Sequence, residues 1–304
     1  MARRMLGSAA GLGIDRIVGE PPTPVHPVAA FGVAMQRVEA AVYAPTQRSG
    51  LGYTAIGVAL GAGAGVVLGS TALAVALASA GRMLRARARS IQGLLDVEDV
   101  DGARAALPAL VGRDPSALDE SGIAAAVVES VAENTVDAVV APALWGAVGG
   151  AIGAGAYRAV NTMDAMVGHH SSRYERFGWG SARLDDVAAF VPARLTAVLV
   201  GLARPRRWRA VERAVRCDAP GHPSPNAGVA EAAFAGALGV ELGGPLRYGA
   251  RTEDRPRLGD GPRPVPRDID RAVRLADRVE LLLAGGLATG GALALAATGR
   301  RRDG

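Results

Sequence analysis

The stretch "LGYTAIGVALGAGAGVVLGSTALAVALASAG", Leu51 to Gly81, runs for thirty-one residues without a charge. A helix needs about 20 apolar residues to cross the hydrocarbon core of a bilayer, so this run is long enough to span with tilt. A water-soluble helix of that length would need a polar face, and this one has none. "RMLRARAR" (Arg82 to Arg89) follows at once. Arginines gathered at the end of an apolar segment mark its cytoplasmic side. Within the run, "GAGAGVVLG" (Gly61 to Gly69) offers the small-residue faces through which membrane helices pack. The chain therefore reads as all-α, a polytopic membrane helical bundle with long polar loops.

Working outward, Ala138 to Tyr157 is a second uncharged run, of twenty residues. It is rich in glycine and lacks a long aliphatic stretch, so it reads as either re-entrant or packed inside protein. Val187 to Ala203 is a third candidate, interrupted by Pro192 and Arg194, and Leu281 to Thr298 a fourth, followed by Arg300, Arg301 and Arg302. The positive-inside rule cannot orient all four as simple spans, so 138–157 or 281–298 is expected to deviate. The polar region Arg204 to Glu280 is expected to lie largely outside the membrane, as helix and loop within one membrane-embedded domain covering residues 1–304. Inside it, "RTEDRPRLGDGPRPVPRD" (Arg251 to Asp268) reads as a surface loop.

Hydrophobic residues make up 49% of the chain and aromatics only 4%, which suits close packing through small side chains. All 34 basic residues are arginine. That bias also fits a GC-rich genome, which inflates Ala, Gly and Arg without structural meaning. The net charge is +5, and "RPRRWRAVERAVR" (Arg204 to Arg216) is a second dense cluster. Beside apolar segments such clusters point to anionic lipid rather than nucleic acid. A single cysteine, Cys217, excludes an intrachain disulfide and a Cys-based zinc site. "MARRMLGSAAGLGIDRIVGE" has a basic start, but its apolar run is short and broken by Asp15, so no cleavable signal is expected.

Polar residues in apolar frames carry the chemistry. In "ESVAENTVDAVVAPALWGAVGG" (Glu129 to Gly150), Glu129, Glu133 and Asp137 fall at i, i+4 and i+8 of a helix, on one face. Such a face is either solvated or neutralised by a hard cation such as Mg²⁺. Asn134 adds an amide beside Glu133. "YRAVNTMDAMVG" sets Tyr157, Asn161, Asp164 and Gly168 on a second stripe. "HHSSRYERFGWGSARLDD" follows, with Gly178-Trp179-Gly180 read as a turn. Arg183 and Asp186 either pair at i, i+3 or divide between phosphate and metal. "DRIVGEPPTPVHPVAAFG" places Glu20 and His26 in a stiff proline-rich segment, either a connector or a preorganised site wall. In "SPNAG", Ser224 or Asn226 is expected to cap the helix carrying Glu231. His169 and His170 have no i+4 histidine, which argues against a transition metal. With no lysine there is no Walker-type loop, and neither a G-x-S-x-G elbow nor a dinucleotide-binding unit is present.

The blocks "GEPPTPVHPVAAFG", "ESVAENTVDAVVAP", "YRAVNTMDAMVGHHSSRYERFGWGSARLDDVAAFVPARL" and "SPNAGVAEAAFAGALGVELGG" resemble, in order, those of the adenosylcobinamide-phosphate synthase family, the CobD/CbiB membrane proteins of cobalamin biosynthesis. The match spans roughly residues 12 to 250. It departs in two places: the family has a longer apolar helix before "GEPP", and His169-His170 replace an aromatic and a polar residue after "MVG". The resemblance implies a multi-pass cell-membrane enzyme of bacterial type with its active site on the cytoplasmic side. It would join the free propionate of adenosylcobyric acid to (R)-1-amino-2-propanol, as its O-phosphate, through an amide.

Such chemistry needs an activated carboxylate, which ATP and Mg²⁺ supply through an acyl phosphate, with arginines neutralising the anions. Residue chemistry then assigns metal or base roles to Glu129, Glu133, Asp137 and Asp164, with Asp186 also catalytic. Arg158, Arg183 and Arg194 would contact phosphate or propionate, Asn134, Asn161 and Asn226 the corrin amides, and His26 the substrate. The partners expected are the corrinoid, the aminopropanol phosphate and membrane lipid. Other corrinoid-pathway enzymes and a second copy of the chain are compatible, and nucleic acid is not. Two rival readings are a non-catalytic membrane sensor on the same helices, which would not need so many carboxylates and arginines, and a transporter, which would need more spans.

Overall fold

A computed structural model describes residues 1–21, 26–112, 114–169, 171–248 and 251–300. The proline-rich positions 22–25 and His170 lie outside the described residues. Among the described residues the regular structure is helical apart from one β-hairpin. It forms two compact units: Met1–Ala80, Asp137–Ala189 and Leu283–Gly304 in the first, Gly81–Val136 and Phe190–Leu282 in the second. Four helical stretches are long and apolar enough to cross a membrane: Gln47–Leu68, Glu120–Gly168, Trp179–Ala203 and Pro266–Gly299. The all-α membrane class follows; three of the four apolar runs seen in the sequence fall within these stretches, and Leu51 to Gly81 overlaps Gln47–Leu68 and runs past it.

The first unit holds α1 (Ala2–Val18), α2 (Pro27–Val42), α3 (Gln47–Leu68), α4 (Thr71–Ala78) and most of a long helical segment that includes α8 (Ala141–Met163). The run Leu51 to Gly81 is not one span, as the sequence suggested. Gly69 takes a left-handed conformation (φ 61°) that closes α3, and the Ser70 hydroxyl accepts the Leu73 N–H to start α4. The absence of charge says nothing about where such a run turns. Along α3, buried Gly57, Gly61 and Gly65 form a seam against α8. A methyl on Gly61 would sit 2.6 Å from the Gly155 carbonyl, and one on Gly65 2.3 Å from that of Ala151. Only hydrogen fits, so the two backbones touch.

The run 138–157 also breaks. Gly150 adopts φ 68° and ψ −151° inside α8, and the chain doubles back there. Ala141 packs in one buried cluster with Tyr157 and Val160, whereas a straight helix would hold them about 24 Å apart. The first arm (141–149) and second arm (151–163) thus form a helical hairpin. Of the candidate membrane stretches, this one is the most buried, 61% of its apolar window against 17–39% for the others. The sequence reading of a re-entrant or protein-packed segment has this physical basis. One-residue expansions of the helix flank the hairpin, π-turns at Val136–Val140 and Asp164–Gly168.

Trp179 and Gly180, expected in a turn, open α9 (Trp179–Ala203). The reversal comes earlier, where the Gly178 N–H donates to the Tyr174 carbonyl and leaves no space for a side chain against Val167. Pro192 lies inside α9 and has no N–H for the Ala188 carbonyl. The Trp145 indole N–H, on the first arm of α8, takes that carbonyl at 3.0 Å.

The second unit holds α5 (Gly81–Asp96), α6 (Val100–Ala106), α7 (Glu120–Thr135), α10 (Trp208–Cys217), α11 (Ala227–Leu238) and the start of α12 (Pro266–Arg300). Part of the expected surface loop 251–268 is instead the second strand of a hairpin, β1 (Leu242–Tyr248) against β2 (Arg251–Leu258), with a bulge at Gly243/Gly244. Two extended strands tolerate glycine and proline at an isolated edge. Arg85 ties α5 to α12: its NH1 bonds Glu280 and its Nε lies 3.8 Å from Asp277.

Candidate functional site

The α8 hairpin decides what the first unit can do. By returning on itself it brings its second arm back to the residues that precede the first. The Tyr157 hydroxyl thereby reaches Asp137 Oδ1 at 3.5 Å, twenty residues earlier in the chain. Asp137 stands in the π-turn before the first arm and Asp164 opens the π-turn after the second. Such turns push a backbone segment out of helical register and recur at functional sites. Asp164 is folded tightly onto its turn: a side chain at Gly168 would meet its carboxylate at 1.9 Å.

One turn up the second arm, Arg158 NH1 donates to Asn161 Oδ1 at 3.3 Å, and Asn161 Nδ2 reaches Asp185 Oδ1 at 3.5 Å. The amide thus sits between a guanidinium and a carboxylate, with its oxygen toward the cation and its nitrogen toward the anion. Two separate sequence blocks meet here, one through Asp137 and the other through Tyr157, Arg158, Asn161 and Asp185. Sequence reasoning chose Asp186 over Asp185. Asp186 lies 3.6 Å from Arg183, with Arg183 67% exposed and Asp186 31%. This is the plain i, i+3 pair, worth little in solvent. Tyr157 was visible in the stripe but not singled out, because nothing local predicts that its hydroxyl meets Asp137.

His26 caps α2: its Nδ1 accepts the Val28 N–H at 3.1 Å, and its Nε2 lies 3.2 Å from Glu20. A cap of this kind needs an unprotonated Nδ1. Burial, then the positive charge of Arg158, hold the imidazole below its ordinary value.

The second unit gathers the remaining candidates. Glu129 is buried in α7 and accepts the Gly243 N–H of the strand bulge at 2.8 Å, which anchors the hairpin. Glu133 is exposed, and Asn134 turns back along its own helix to the Ser130 carbonyl at 2.9 Å. Glu129 and Glu133 thus face different surroundings. Arg194 donates to Asn226 Oδ1 at 2.7 Å and to the Pro225 carbonyl at 3.1 Å, with its guanidinium 3.7 Å over the Phe190 ring. Ser224, not Asn226, caps α11, accepting the Ala227 N–H at 3.1 Å. A buried pair passed over by sequence reasoning, His222 Nε2 and Glu231 Oε2, lies 3.8 Å apart under that cap.

Among the described residues no three of His, Cys, Asp and Glu gather as a metal-holding group. Mg²⁺ does not demand one. It binds through one or two carboxylates and completes its shell with water and substrate phosphate. Asp137 and Asp164, at the feet of the hairpin, have the donor chemistry for that.

The sequence model of the family described as CobD/Cbib protein matches residues 8–276. Curated proteins named Cobalamin biosynthesis protein CobD are similar over most of their length. That of Mycobacterium tuberculosis (strain H37Rv) is 46% identical over 294 residues, covering 91% of this chain and 92% of its own. That of Chromobacterium violaceum is 43% identical over 288 residues, covering 87% and 89%. That of Brucella suis biovar 1 is 38% identical over 304 residues, covering 90% and 93%. No solved structure matches the chain.

Proposed function

Since the chain belongs to the CobD/Cbib family, we propose that it serves cobalamin biosynthesis, as the names of its relatives state of them, and that it does so as an amide-forming ligase. The reaction joins the free propionate carboxylate of adenosylcobyric acid to (R)-1-amino-2-propanol, as its O-phosphate. A carboxylate does not acylate an amine unaided, because its oxygen is a poor leaving group. ATP phosphorylates it, giving an acyl phosphate and ADP. The amine nitrogen then attacks the acyl carbon, the C–O bond to phosphate breaks, inorganic phosphate departs, and the ammonium proton passes to a base.

The observation that carries this reading is the convergence, in an apolar helical frame, of Asp137, Tyr157, Arg158, Asn161 and Asp185. Ionisable groups inside apolar helices are costly and serve a function when they persist. Asp137 is the base of choice, since the Tyr157 hydroxyl orients its carboxylate at 3.5 Å beside Arg158 and Asn161. Arg158, steered by Asn161, neutralises an anionic substrate group. Mg²⁺, when bound, shields the phosphate oxygens, and Asp137 or Asp164 would hold it. Arg194 and Asn226 in the second unit are mutually bound, and a corrin amide would address them as a pair. The active side is cytoplasmic in this reading, where ATP is available.

The test supplies adenosylcobyric acid, ATP, Mg²⁺ and aminopropanol phosphate to the purified chain in detergent. The expected product is the amide, with one ADP per amide formed. Asp137→Asn lowers kcat about 100-fold or more, in the range for loss of a general base. Wild-type protein that makes no amide from either the free or the phosphorylated amine refutes the ligase reading.

A further inference from the structure

A cavity of about 90 Å³ opens in the first unit between α2, α3, α4 and the second arm of α8. Its walls are hydrocarbon, including Phe31, Ala64, Leu68 and Leu77, except where Arg158 and Thr162 meet it. The Thr162 hydroxyl is already spent, donating to the Arg158 carbonyl at 2.7 Å. That leaves the guanidinium. Its NH1 bonds the neutral Asn161 amide, and its Nε is buried with no hydrogen-bond partner among the described residues. Among the described residues no carboxylate pairs with it directly, and its charge reaches Asp185 only through the Asn161 amide. A cation on an apolar wall with no carboxylate in direct contact is unfavourable until an anion arrives.

Water is a poor occupant. The volume exceeds the roughly 10–15 Å³ one water needs, but a buried water wants two to four polar partners, and apolar cavities stay dry. The shape is also set, because the glycine seam of α3 on α8 prevents the walls from sliding together. An occupant should therefore put methylene groups against Leu68 and Leu77 and an anionic end on Arg158.

We infer that this cavity is a binding site for an anion, phosphate or carboxylate, carried on a short hydrocarbon stem, with Arg158 as its anchor. The inference extends the functional reading, and rests on it for Arg158 facing substrate. Two sources share the chemistry: a soluble alkyl phosphate, such as an aminoalkyl phosphate co-substrate, and the phosphate end of a membrane lipid.

Equilibrium binding of butyl phosphate to the full chain in nonionic detergent tests it, with inorganic phosphate and butan-1-ol as its two halves. Butyl phosphate is expected to bind at least about tenfold more tightly than either half, as an apolar wall and a charge-assisted bond together require. Arg158→Gln loses that gain and Arg158→Lys keeps most of it. Ala64→Phe, which fills the exposed rim and leaves the guanidinium in place, loses it as well, so the test survives a poorly folding Arg158→Gln. In parallel, nanodiscs containing phosphatidic acid are read by native mass spectrometry for retained lipid. Lipid retention that depends on Arg158, with no butyl phosphate binding, assigns the site to lipid. If neither anion depends on Arg158, or inorganic phosphate binds as tightly as butyl phosphate, the inference is wrong. The probe is not turned over. A chain that binds it but forms no amide defeats the ligase reading alone, and one that forms amide without binding it defeats this inference alone.

Discussion

Arg85 and Arg158 are both guanidiniums set among apolar helices, and they are treated in opposite ways. Arg85, in the second unit, is buried against Glu280 and Asp277. Its charge is answered by the fold, and its work is to hold α5 on α12. Arg158, in the first unit, is given an amide and an empty wall. A cation matched by carboxylates is structural, and a cation matched only by a dipole is kept for something the chain does not contain. The carboxylates differ as well: Glu129 accepts the Gly243 N–H of the strand bulge, whereas Asp137 meets the Tyr157 hydroxyl at 3.5 Å.

The contrast is breakable. Its largest effect belongs to Glu280→Gln, which removes the closer of the two carboxylates facing buried Arg85 and leaves it only Asp277 at 3.8 Å; the expected cost is about 3 kcal/mol, read as a fall in thermal midpoint in detergent. Arg158→Gln should do the reverse, leaving stability within about 1 kcal/mol while amide formation falls about 100-fold. Equal destabilisation by the two variants would erase the distinction.

A smaller effect sharpens it. His26 has a folded value held below its ordinary 6.5 by burial and by Arg158. A base lowered in this way contributes its full stability above its ordinary value, and that contribution is lost as pH falls through the folded value. Melting curves between about pH 8 and pH 5 should therefore show an acid-side loss. Arg158→Gln, by removing part of the cause, should shrink that loss, and an unchanged acid limb would mean the charge does not reach His26. The smallest effect is at Arg183, whose exposed pair with Asp186 should be worth less than about 0.5 kcal/mol when Arg183 becomes Ala.

Much of this was legible in one dimension. Long uncharged runs ended by arginines announce membrane helices, because no soluble environment tolerates them. The polar stripe Tyr157, Asn161 and Asp164 stood out because its frame is apolar, and Glu231 and Ser224 were placed on and before the right helix. What escaped notice was direction. Leu51 to Gly81 read as one span, yet Gly69 and Ser70 turn it. Glycine is frequent throughout this chain, so no single glycine advertises a reversal. The strand pair at 242–258 was invisible for a related reason: its residues are the turn formers of a loop, and only the partner strand makes them extended.

By itself, then, the sequence determined the solvent of each segment, the family, and the residue types available for anion and proton chemistry. These depend on local composition, which a linear chain carries. The tertiary structure alone decided which carboxylate meets which partner. Gly150 folds α8 back and turns two distant blocks into neighbours. The register of α9 brings Asp185 rather than Asp186 to Asn161. A carboxylate's role depends on the charge and dipole within a few ångströms of it, and those distances are set by packing between helices.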